Sequence, residues 1–160
     1  MWAIDIFPFF QWVEATSLSN VIRESTWAFA VIESVHLLAL AVIGGSVLVV
    51  DLRLLGMGLT RHTAHEIWRD AYRFFVGSLI VMLATGVLLF FSEPTKCYYS
   101  TPFWVKMSSL ALALLFTFTV RRQVLKNDHV SPATGMIVAL LSLTFWFGVG
   151  AGGRWIGFSG

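Results

Sequence analysis

Long apolar stretches alternate along this chain with short polar connections. Four stretches are long enough, or nearly so, to cross a hydrocarbon core, which takes about 20 helical residues. They run from about Trp27 to Val50, Phe74 to Phe91, Phe103 to Val120 and Pro132 to Ala151. The second and fourth carry no charge, the third has only Lys106 near its start, and the first has Glu33 and His36. Alternation with period two is absent, which argues against a β-barrel and for four helices. Ahead of them, Phe7, Phe9, Phe10, Trp12 and Val13 follow Asp5, with Pro8 suited to a first helical turn. Residues 1–26 therefore read as an amphipathic helix lying in the interface, aromatic side down. A cleaved signal peptide is not expected, because no basic residue precedes Arg23 and the apolar run is broken by Gln11 and Glu14. The predicted fold is an all-α integral membrane protein: a four-transmembrane-helix bundle over 27–160, preceded by an N-terminal interfacial segment over 1–26.

Composition strengthens this reading. In 160 residues, 57% are hydrophobic and 12% charged, the latter about half the usual share for soluble domains. Mean hydropathy is +0.76, more apolar surface than a soluble globule of this size hides. A single cysteine excludes an internal disulfide framework. The net charge of +2 does not point to nucleic acid, because the basic residues flank the spans. The two connections on one face hold Arg53, Arg61, Arg69 and Arg73, then Arg121, Arg122 and Lys126. The opposite face holds Arg23, Lys96, Lys106 and Arg154, so the count is seven against four. That bias places the arginine-rich connections in the cytoplasm and both termini in the periplasm of a bacterial inner membrane. The loop from Ser92 to Pro102 then carries Cys97 outside, available to a partner or idle, and the pair Tyr98–Tyr99 at the headgroup level.

Polar groups inside a bilayer are costly and need a reason. Glu33 and His36 share one helical face, His36 lying about 13 Å below the end of its span at 1.5 Å per residue. The stripe continues through Leu40, Gly44 and Val47 to Asp51, with Gly44 and Gly45 leaving room for a neighbouring backbone or a flat ligand. The other helices offer comparable inward faces. They are Ser78, Met82, Thr85 and Gly86; Lys106, Ser109, Ala113 and Thr117; and Gly135, Ala139, Ser142, Trp146 and Gly150. His36 is a candidate axial ligand for haem b, and Met82, as deep from Phe91 as His36 is from Trp27, is the candidate second ligand. A metal or proton site is the next reading, although Glu-x-x-His needs ligands from further helices. The third pairs Glu33 with Lys106 or Arg154 and leaves His36 bonded to a neighbouring helix. His62, His65 and Glu66 read as part of a solvated amphipathic segment, Thr60 to Tyr72, with Ile67, Trp68 and Tyr72 toward lipid; His129 sits in the second arginine-rich connection. Gly148 and Gly152 have the spacing of a close helix contact.

The stretches Glu33–Ser46 and Asp51–Gly56, with Thr85–Phe90 and Phe103–Met107, resemble an uncharacterised bacterial family of small four-helix membrane proteins. The resemblance covers the chain from Trp27 onward. It marks Glu33, His36, Asp51, Arg53, Gly86 and Lys106 as pattern positions without roles. More distantly, the His-Leu-Leu helix with its glycine pair is similar to copper-resistance D-type proteins and four-helix b-type cytochromes. The expected function is a small inner-membrane subunit serving redox chemistry at the periplasmic face, non-catalytic or electron-transferring. In it, His36 holds haem b, and Glu33, Lys106 and Arg154 give polar support. A cofactor-free accessory subunit of a larger membrane complex is the alternative, and copper, metal or proton transport is the third. Expected partners are the bilayer, other membrane or periplasmic subunits, or further copies of the chain.

Overall fold

A computed structural model describes residues 6–59, 61–127 and 131–156. The elements are α1 (Phe7–Glu14), α2 (Ser17–Glu24), α3 (Thr26–Leu54), α4 (Ala64–Ser92), α5 (Pro94–Tyr99), α6 (Thr101–Phe116), a π-helical turn (Thr117–Arg121), α7 (Arg122–Lys126) and α8 (Pro132–Ile156). α6, the π turn and α7 run on as one rod, the third span. Four helices are long and apolar enough to cross a membrane: Trp27–Leu54, Ala64–Ser92, Thr101–Lys126 and Pro132–Ile156.

Local chemistry sets the ends. The Ser25 hydroxyl accepts from Ala28 N–H at 3.2 Å and starts α3. Gly56, at φ +75°, closes it: Gly56 N–H returns to Arg53 O at 3.0 Å and Met57 N–H to Leu52 O at 2.8 Å, a Schellman motif. Thr63 and Glu66 then form a capping box on α4, with Thr63 N–H to Glu66 Oε2 at 2.9 Å and Glu66 N–H to Thr63 Oγ1 at 3.2 Å. This cap starts α4 at Ala64, so residues 64–73 belong to the same helix as the second apolar span. Trp68, expected toward lipid, is buried within the bundle. Thr60, Asp5 and His129 lie outside the described residues.

The interfacial segment is two helices rather than one. Thr16 caps the second. Phe10, Val13, Ser19 and Ile22 turn into the protein, while Phe9 and Trp12 stay exposed, so the expected aromatic face is divided between the bundle and the surface. Phe10 sits among Phe90, Tyr98 and Trp104, with ring centroids 5.4, 5.2 and 6.5 Å away. Glu14 accepts from the Thr95 hydroxyl and pairs with Arg23 at 3.1 Å.

In the bundle α3 packs on α4 and α8, and α6 packs on α8. α4 meets the third span mainly near its far end, through α7. The core runs through Ala39, Ile43, Val47 and Val50 of α3, Phe75, Leu79 and Met82 of α4, Leu110 and Ala113 of α6, and Trp146 and Val149 of α8. Both ends of the described chain and the α4–α6 connection lie at one end of the bundle, the terminal end. The α3–α4 and α7–α8 connections lie at the other, the arginine-rich end.

Candidate functional site

Two polar layers cross the bundle, the first built from three spans with the glycines of α8 packed against it, the second drawing on all four. The first, toward the terminal end, centres on His36, which is 6% exposed. Its Nδ1 lies 2.9 Å from Thr85 Oγ1, and its Nε2 lies 3.3 Å from Lys106 Nζ. The Thr85 hydroxyl already donates its one proton to Val81 O at 2.7 Å. Its oxygen therefore accepts from His36, which places the ring proton on Nδ1 and leaves a lone pair on Nε2. Lys106 donates to that lone pair.

Glycines shape the layer. A Cβ on Gly86 would stand 3.3 Å from His36 Cε1, so α4 passes directly over the ring edge. A Cβ on Gly152 would stand 3.1–3.2 Å from Lys106 Cβ, Cα and N, and one on Gly148 would stand 2.9 Å from Ser109 Oγ. The Gly148/Gly152 pair is thus the close contact between α8 and α6 that its spacing announces.

Lys106 meets His36, and the expected pairing of Glu33 with Lys106 or Arg154 does not form. Glu33 is exposed although it lies only one turn from His36, and Arg154 is exposed on the last turn of α8. Met82 is buried at 2%, one helical turn from Thr85 and Gly86, with its side chain in the apolar core. Gly44 and Gly45 face outward with nothing within 4 Å of a built Cβ, so they make no room at His36. The inward faces expected for the other three helices are largely the ones observed; the exception is Gly150, which has open space beside it.

The second layer was missed. Arg121 and Asp51, both with fully buried side chains, pair at 3.0 Å, and Arg121 Nε donates to Asp51 Oδ1 at 3.1 Å. Arg121 Nη2 also donates to Val47 O at 3.3 Å, and the guanidinium lies over the Trp68 ring, 4.7 Å from its centroid. Ser142 approaches the Asp51 carboxyl without the alignment of a full hydrogen bond. One turn before Arg121, buried Thr117 accepts from Trp146 Nε1 at 3.3 Å. Arg121, expected in a cytoplasmic connection, is therefore inside the bundle. A signal for it existed: the inward series Ala113 and Thr117 continues in steps of four onto Arg121, as Val47 continues onto Asp51.

Beyond the spans, Cys97 is a free thiol. Burial pushes it up to about 11, with nearby Glu93 adding to the shift. Among the described residues no three of His, Cys, Asp and Glu gather as metal ligands.

The model of DUF6644, a family of unknown function, matches residues 9–159. The chain belongs to this family. No curated protein and no solved structure matches it, so the comparisons bring in neither copper-resistance D-type proteins nor b-type cytochromes. Membership in DUF6644 accords with the resemblance to small membrane proteins of unknown function.

Proposed function

We propose that this member of DUF6644 is a non-catalytic accessory subunit of a larger inner-membrane assembly, its four spans locked in one arrangement by the two polar layers. The observation that carries this reading is that both ring nitrogens of His36 are engaged by the chain's own side chains, Thr85 on α4 and Lys106 on α6. Each layer spans the bundle, and in lipid, where apolar contact does not discriminate one helix from another, such polar contacts set which helices meet.

Orientation follows from the basic residues that stay outside the core. With Lys106 and Arg121 inside, Arg53, Arg61, Arg69, Arg73, Arg122 and Lys126 at one end face Arg23, Lys96 and Arg154 at the other. Six against three supports both termini on the periplasmic side.

A second reading rests on the imidazole's tautomer. A ligating histidine commonly donates its other ring N–H to a fixed partner, and His36 donates Nδ1–H to Thr85. Haem b at Nε2 requires Lys106 to swing away, and Gly86 leaves no slot between α3 and α4 for the macrocycle, so it would enter from the α6 side. An absorption spectrum of protein made with haem supply assured separates the two. The accessory reading expects no Soret band and a His36→Ala variant that is less stable. A Soret band that shifts on dithionite reduction and vanishes in His36→Ala overturns it in favour of a cytochrome.

A further inference from the structure

The seam between α4 and the third span opens at the arginine-rich end into a cleft of about 260 Å³. Its floor is apolar and aromatic, with Trp68, Phe118 and Leu125. Its rim is basic, with His65, Arg69, Arg122 and Lys126. Among the described residues no carboxylate lines it. Asp70 touches Arg69 from outside at 3.7 Å, with its side chain 78% exposed, and Glu66 is turned back into the helix cap at Thr63.

Two structural features make this cleft. α4 and the third span have little contact except through α7, so the ring of helices is loosest here. Thr117 and Phe118, which line the cleft, belong to the π turn, whose extra residue widens the helix locally. Arg121, the last residue of this turn, reaches inward to Asp51, and the next residue, Arg122, stays on the rim. A floor of rings and aliphatic carbon under a rim of cations, at the end of the membrane-length segments, is complementary to an amphiphile with a negative head.

We propose that this cleft binds an anionic phospholipid, its phosphate held by Arg69, Arg122 and Lys126 and an acyl chain lying along Phe118 and Leu125. A zwitterionic lipid offers the same chains, but its choline sets a like charge against the rim. An acidic peptide would satisfy the rim and leave the floor uncovered.

Native mass spectrometry of the full chain in detergent, with phosphatidylglycerol and phosphatidylcholine supplied together, tests this. Wild type should retain phosphatidylglycerol at least about tenfold more tightly, as several basic contacts at a membrane surface imply. The double variant Arg69→Gln/Arg122→Gln should lose most of that preference. Arg61→Gln/Arg73→Gln removes two charges from the same end outside the cleft and should keep it. Lys126→Gln, on the exposed end of α7, should lower the preference in part, and it covers the case where the double variant folds poorly. Equal loss in both double variants would mean diffuse charge attraction and overturns the site. So does wild type that does not discriminate the two lipids, or that prefers an acidic peptide to phosphatidylglycerol.

Discussion

Asp51 and Arg121 show how one contact governs two charges. Each is fully buried, and removing one leaves the other uncompensated, at a cost of about 3–5 kcal/mol. Asp51→Asn should therefore destabilise the bundle by about that much in equilibrium unfolding from detergent. Asp51→Leu with Arg121→Met should recover most of the loss, because neither charge is then stranded. A double variant as unstable as Asp51→Asn would mean that the pair acts through more than charge balance. Cys97 is governed by burial in the opposite sense, since its ionised form is the disfavoured one. With the thiol near 11 instead of 9.0, the thiolate fraction at pH 8 falls about a hundredfold. The greater intrinsic nucleophilicity of a high-pKa thiolate returns about tenfold of that. Alkylation should run about ten times slower than for an unhindered thiol and accelerate as pH rises from 9 towards 11. A rate equal to that of a small-molecule thiol at pH 8 would refute the half-buried placement of Cys97.

Helix contacts separate glycines that serve packing from glycines that do not. At Gly152 an added Cβ meets the backbone of α6, and at Gly148 it meets the end of a serine side chain that can rotate. Gly152→Ala should cost about 1–3 kcal/mol by overpacking, Gly148→Ala less. Gly44→Ala and Gly45→Ala, with open space around them, should gain up to about 1 kcal/mol from helix propensity. Unfolding midpoints of the four variants check the order, and Gly44→Ala more harmful than Gly152→Ala would refute the assignment of faces. The glycine pair at 44–45 follows His36 by two turns, yet spacing on one helix says nothing of where a neighbour stands. Gly148 and Gly152 were legible because the four-residue step of a close contact is itself local. The π turn was not legible: its extra residue matters only through what Thr117 and Arg121 reach on other helices.

Both ends of the described chain lie at one end of the bundle and the two arginine-bearing connections at the other. A C-terminal alkaline phosphatase fusion should be active and a C-terminal fluorescent-protein fusion dark, as periplasmic termini require; the reverse would invert the orientation. The four spans and the inward faces of α4, α6 and α8 could be read from order and composition alone. A stretch of about 20 apolar residues has no other stable home than a membrane, and small or polar side chains in it turn away from lipid. The fate of individual charges was settled only by tertiary structure. Glu33 and Arg121 look alike in sequence, each an ionisable group at the margin of an apolar run. Arg121 is buried because Asp51, 70 positions away, and the face of Trp68 meet it there, while Glu33 is exposed. The stability of a charge in lipid depends on what lies within a few ångströms of it, and that distance exists only once the helices have packed.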